Sequence, residues 1–154
     1  MPEYFLANSA EEYSAAAKLF AVYAAWLAID LSFQQFEEEL TTLKKMYAPP
    51  SGGILLCKEE NGYIACVAIR KIDTDTAELK RMFVQPAHQH KGIGNILMTR
   101  SIELARQCGY KMIRLDTLDH MTPAISLYKK YGFTEIPPYY FNPNSTAIYF
   151  ELKL

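Results

Sequence analysis

Hydrophobic positions along the chain switch between a helical and an alternating spacing. Tyr4 to Ala7 suits a short first strand. Ser9 and Glu12 then form an S-x-x-E capping pattern: the serine hydroxyl accepts from an orphan amide and the glutamate reaches back. Behind it Tyr13, Ala17, Phe20, Ala24 and Leu27 recur at helical spacing and predict an amphipathic helix over 10–28. A second helix is expected from about Ser32, with Phe33, Phe36, Leu40, Leu43 and Tyr47 inward and the run Glu37-Glu38-Glu39 mostly outward. Pro49-Pro50-Ser51-Gly52-Gly53 ends it, because prolines remove amide donors and glycines bend freely.

The middle of the chain reads as a meander. Strands over 54–58 and 63–71 flank Asn61-Gly62, a strong hairpin signal, and a polar turn at 73–75 leads to a strand over 76–84 that Pro86 stops. A helix over 92–108 with Gly109 behind it, a strand over 112–115, a helix over 123–131 with Gly132 behind it, and strands over 133–137 and 146–153 complete the order. The hairpins require antiparallel pairing, while the strand-helix-strand step from 76 to 115 requires one parallel pair. The expectation is a single α/β domain over 1–154: a mixed, mostly antiparallel sheet flanked by about four helices.

Composition narrows the chemistry. A net charge of −1 over 154 residues leaves no basic footprint for nucleic acid. The longest apolar stretch, 19–29, falls short of the roughly 20 residues of a membrane span. The N-terminus lacks a signal-peptide pattern, and Cys57, Cys66 and Cys108 are too scattered for a disulfide framework or a metal site. A cytoplasmic protein that holds no metal is expected.

One segment carries a ligand signal. In Gln89-His90-Lys91-Gly92-Ile93-Gly94 a strand ends, turns through glycines and opens a helix. Gly92 and Gly94 lack the Cβ that would keep a phosphate away, and the helix N-terminus adds roughly half a positive charge. Lys91 offers a point charge and Gln89 a side-chain amide. The same glycines would also serve a tight turn with no ligand. A dinucleotide fingerprint is excluded, since Leu97 stands where its third glycine belongs.

With these residues the sequence resembles the GNAT superfamily of N-acetyltransferases. Gln89, Gly92 and Gly94 match its loop pattern, Ala124, Tyr128 and Gly132-Phe133 match its A-x-x-x-Y-x-x-x-G-F signature, and Glu78 stands eleven residues before Gln89, where several members carry a catalytic glutamate. The stretches 78–82, 115–118 and 139–143 look like a bacterial subgroup whose members mostly lack an assigned substrate. Met121 departs from the asparagine many members place there.

The resemblance implies acetyl-CoA as co-substrate, bound by 89–95 (Gln89, His90, Lys91, Gly92, Ile93, Gly94 and Asn95), with Met82, Phe83 and Val84 lining its pantetheine arm. It implies direct attack of a primary amine through a tetrahedral intermediate, with an amide near Met82 stabilising the oxyanion. Glu78 becomes the candidate general base and Tyr128 the general acid for the leaving thiolate. Each has a plainer reading, Glu78 as an ion-pair partner of Lys80 or Lys58 on a solvated strand face and Tyr128 as core packing. Lys80 and Arg81 are expected on opposite strand faces. Arg81, if it faces the site, would clamp an acceptor carboxylate. Tyr139, Tyr140 and Phe141 either wall an acceptor pocket or form a face for a homodimer. His88, His90 and His120 are expected at the surface. The acceptor expected is a small-molecule amine; a protein lysine or N-terminus, or a non-catalytic acyl-CoA-binding role, are the alternatives.

Overall fold

Strand residues 54–57 are buried without a break because both faces of their strand are covered. Leu55 and Cys57 enter one core with Ala65, Val67 and Ile69; Ile54 and Leu56 enter another with Cys66 and Ala68. The computed structural model describes residues 1–28, 30, 31, 35–60 and 62–154. Its elements are β1 (Glu3–Leu6), α1 (Ala10–Leu27), α2 (Phe36–Thr41), α3 (Leu43–Met46), β2 (Gly53–Glu59), β3 (Gly62–Lys71), β4 (Thr76–Val84), α4 (Ile93–Gln107), β5 (Met112–Leu118), α5 (Thr122–Lys130), β6 (Thr134–Ile136) and β7 (Ala147–Lys153). The seven strands form one sheet in the order β1-β2-β3-β4-β5-β7-β6. Only β4 and β5 pair in parallel, as the crossover through α4 requires. Helices α1 to α3 cover one face; α4 and α5 cover the other.

Helix α1 starts as expected. Ser9 Oγ accepts from the Glu12 amide, and the Glu12 carboxylate accepts from the Ser9 amide. Its innermost stripe is Ala16, Leu19 and Phe20, with Tyr13, Ala17 and Ala24 only partly buried. The second helix is not continuous. It is broken at Thr42, where the hydroxyls of Thr41 and Thr42 both donate to the Glu38 carbonyl and compete with the helical ladder. Glu39 departs from the outward expectation, since its side chain is buried on Arg81. Ser32, Phe33 and the hairpin residue Asn61 lie outside the described residues.

Strand β4 is irregular at one point. Ala68 pairs with Lys80 and Cys66 with Phe83, so two steps on β3 span three on β4. The extra residue is a bulge, with Arg81 at φ +58° and its carbonyl accepting from Cys66 Sγ at 3.2 Å. Among the described residues no helix is long and apolar enough to cross a membrane.

Candidate active site

Strands β4 and β5 pair at only three positions, Thr76 with Met112, Ala77 with Ile113 and Glu78 with Arg114. Beyond these β4 stays with β3 and β5 with β7, leaving two facing edges whose amides and carbonyls do not meet. A cavity opens between them, lined by Lys80, Met82, Asp116 and Leu118, with Tyr128 from α5 and Tyr23 from α1. An extended ligand could hydrogen-bond to these edges as a strand does. Of the residues expected to line such a ligand, Met82 borders the cavity and Val84 is half-buried beyond it. Phe83 turns to the other core, where its ring lies 5.5 Å from Tyr23 and 5.6 Å from Trp26.

The loop after β4 leads to the start of α4. His90 and Gly92 both adopt left-handed backbone, at φ +66° and +81°. Gly92 precedes the helix, and a Cβ there would meet nothing within 4 Å, so the glycine answers to conformation and open space. The first-turn amides of Ile93, Gly94 and Asn95 have no carbonyl within the helix to receive them. No acidic residue stands in that turn. Lys91 is exposed beside it. These features fit the pyrophosphate of a nucleotide cofactor. The Gln89 side-chain amide donates to the Val84 carbonyl at 3.0 Å and ties the loop to β4. The Asn95 side chain faces α5, accepting from Lys130 Nζ at 2.8 Å and from the Tyr131 hydroxyl at 3.2 Å.

On the α1–α3 face a cavity of ≈ 890 Å³ adjoins the gap, and its wall includes Glu78, Lys80, Tyr139 and Tyr140. Glu78 is almost fully engaged. Its Oε1 receives Arg70 Nε at 2.8 Å and lies 3.8 Å from Lys80 Nζ, while its Oε2 accepts from the Tyr139 hydroxyl at 2.6 Å. Burial pushes this carboxyl up, but Lys80, Arg70 and Tyr139 outweigh it and hold it below the usual range. The ion-pair reading of Glu78 holds for Lys80, but Arg70 is the closer partner in place of Lys58, and the strand face is buried rather than solvated.

Arg81 does not offer the clamp expected of it. The bulge carries it to the same face as Lys80, overturning the opposite-face expectation. Its guanidinium already grips a carboxylate: Nε and Nη2 reach Glu39 at 3.0 and 2.8 Å, beneath the Phe36 ring. Tyr47 donates to the same carboxylate at 3.1 Å.

Tyr128 reaches the gap from the opposite face. Its ring packs on Phe133 and Phe150, so the core-packing reading holds for the ring. Its hydroxyl makes no hydrogen bond among the described residues. Burial, then Tyr23 and Asp116, push the phenol well above its ordinary value, so it keeps its proton at any working pH.

Asp116 was not singled out in the sequence. It lies on β5 two residues past the last parallel pair, lines the gap with Tyr128, and accepts from the Tyr140 hydroxyl at 2.8 Å. Burial raises its carboxyl; Lys80 and the Tyr140 hydrogen bond offset this only in part. The available signal was a single acid flanked by Leu115 and Leu118 in the strand run 112–118. Adjacent tyrosines of one loop thus hold one carboxylate on each side of the gap. His88 and His120 each lie near a carboxylate (Glu59 at 3.8 Å, Asp119 at 3.7 Å), and none of the three histidines borders the gap.

Comparison with known proteins agrees with this geometry. The profile of the acetyltransferase (GNAT) family matches residues 19–133. An uncharacterised N-acetyltransferase of Schizosaccharomyces pombe is 34% identical over 134 residues, covering 86% of this chain and 82% of the relative. The crystal structure of an acetyltransferase from Streptococcus agalactiae superimposes with a TM-score of 0.82 at 21% identity, covering 99% of this chain and 98% of that one. A GNAT family acetyltransferase from Elizabethkingia anophelis, solved with acetyl-CoA bound, gives a TM-score of 0.69 at 24% identity over 99% and 98% of the two chains. With its sheet parted between β4 and β5, a glycine-turned helix start beside the gap and a family match across three quarters of its length, the chain belongs to the GNAT family of acetyltransferases.

Proposed function

We propose that the protein transfers the acetyl group of acetyl-CoA to the primary amine of a small molecule, which enters through the ≈ 890 Å³ cavity. The observation that carries this reading is the gap itself. Asp116 from one face and Tyr128 from the other line a single cavity between strand edges that an extended thioester arm can bridge. A cleft volume in the usual range of small-ligand pockets supports a small acceptor over a protein chain.

Acetyl-CoA, when bound, supplies the activated acetyl thioester. The helix start at 92–95 holds the pyrophosphate, the open β4 edge at Met82 to Val84 orients the arm, and the Met82 amide polarises the thioester carbonyl. Proton acceptance falls to Asp116 rather than Glu78. An alkylammonium has a pKa of roughly 10, and a carboxyl raised by burial stands closer to it than one held low by two cations. The amine nitrogen gives its proton to Asp116 and attacks the carbonyl carbon. The carbon–sulfur bond then breaks, Tyr128 donates its proton to the departing sulfur, and the second proton of the nitrogen, acidic once the nitrogen is acylated, passes to the phenolate and restores Tyr128. Glu78 keeps Arg70 and Lys80 in place.

The test is thiol release from acetyl-CoA with an amine panel, followed across pH. Asp116→Asn is expected to lower kcat/KM about 10²- to 10⁴-fold and to abolish the acid limb of the profile, with residual activity climbing as the amine deprotonates in solution. Glu78→Gln should leave that limb in place. An intact acid limb in Asp116→Asn returns the base to Glu78, and release with peptide amines alone moves the acceptor to a protein.

A further inference from the structure

The acceptor cavity is polarised. Towards the gap its wall carries Glu78 with Lys80 beside it, and Asp116 stands beyond; away from the gap it carries Arg70, Lys71 and Lys45. The inner carboxylates suit an ammonium. At the outer end the cations outnumber their anions. Arg70 donates only its Nε, to Glu78, and its Nη1 and Nη2 make no hydrogen bond among the described residues although the side chain is 36% exposed. Lys45 and Lys71, both exposed, make no ion pair among the described residues. The other carboxylate on this wall besides Glu78 and Glu38 is Glu39, which Arg81 already holds.

From this arrangement we infer that the acceptor carries a carboxylate as well as its amine, the carboxylate docking on the open Nη edge of Arg70 with Lys71 and Lys45 beside it. A guanidinium whose Nε is anchored presents two parallel donors in a fixed plane, the geometry a carboxylate accepts. Glu78 is the anchor, so the residue two positions from Lys80 sets the fork's direction. The clamp that Arg81 cannot provide is thereby available one strand away. The substrate class is a free amino acid or a close analogue, and the inference rests on the transferase reading above.

The experiment compares α-, β- and γ-amino acids, each with its decarboxylated amine, as acceptors of acetyl from acetyl-CoA. The wild-type protein should favour at least one acid over its amine by tenfold or more in kcat/KM. Arg70→Gln should bring that ratio close to one, chiefly through KM for the acid, and Arg70→Lys should recover part of it. Because Arg70 also holds Glu78, a double variant of the exposed residues, Lys45→Met with Lys71→Met, supplies an independent arm in which the ratio falls at least threefold. Thiol release with ratios near one in the wild type, or a ratio that survives in both variants, overturns the carboxylate site while leaving the transferase reading intact. No thiol release with any amine overturns the transferase reading, and this inference with it.

Discussion

Glu78 and Asp116 carry the same functional group on either side of one gap, and their surroundings drive them apart. Two cations and a tyrosine bind Glu78, whereas Asp116 has a tyrosine, a lysine nearby, and burial that wins. Lys80, Glu78 and Arg81 face Asp116 from β4, Tyr140 from its loop, Tyr149 from β7, Tyr128 from α5 and Tyr23 from α1. A group whose folded-state pKa is raised stabilises the fold below its unfolded pKa, and that contribution is lost as pH rises through the folded value. Ionised Asp116 therefore costs stability near neutrality. Asp116→Asn, which can still accept from Tyr140, is expected to raise Tm at pH 7 by about 2–4 °C, the shift that about 1 kcal/mol produces at this size. The gain should vanish below about pH 4, where the wild-type carboxyl is protonated. A thermal melt at both pH values checks this, and a lower Tm at pH 7 would assign Asp116 to the framework. The family resemblance brought Glu78 and Tyr128 to notice. Asp116 was hidden because its partner lies 24 residues away on a loop.

At the scale of elements, the hairpins, α4, α5 and the parallel step were legible because glycines, prolines and periodicity mark them locally. Two features were not. The break at Thr42 depends on hydroxyls choosing a helical carbonyl, and the bulge at Arg81 is visible only in the register between β3 and β4. Sequence alternation assumes an unbroken strand, so one extra residue was enough to place Arg81 on the wrong face. The phosphate loop was legible as a loop, but its two glycines differ. Gly92 sits at φ +81°, where any side chain is strained, whereas a Cβ at Gly94 would meet Leu127 Cδ2 at 3.5 Å, an ordinary contact. Gly94→Ala should therefore fold at least as stably as the parent, since alanine favours a helix by about 0.5–1 kcal/mol. If Gly94 serves cofactor approach, the same substitution weakens CoA binding tenfold or more by calorimetry. Unchanged affinity would leave the glycine with the turn alone.

For the whole molecule, the pair Arg81–Glu39 fastens α2 to β4 across the α1–α3 face, with Tyr47 completing it. Burial pushes the Glu39 carboxyl up, but Arg81 and Lys80 hold it below the usual range, as Lys80 and Arg70 do for Glu78. Depressed carboxylates contribute stability above their unfolded pKa of roughly 4.3 and lose it as pH falls through the folded value. Tm should stay level between pH 7 and 5 and then decline. Removing one partner of a buried pair costs about 3–5 kcal/mol, so Glu39→Ala should lower Tm at pH 7 by about 10 °C and soften the acid decline. A melt within 2 °C of the parent, roughly the shift from about 0.5 kcal/mol, would show the pair to be dispensable.

The parting of β4 from β5 has a further consequence, for self-association. Unpaired strand edges normally recruit other chains, and sheets protect them by keeping them short or covered. Here the longest such edges lie in the middle of the sheet, between helices on both faces. Of the two outer edge strands, β1 has four residues and β6 three, and β6 runs into Pro137 and Pro138. A single extended molecule can reach the inner edges, whereas a second sheet is too wide to follow, so the opening that admits a ligand does not double as a seed for aggregation.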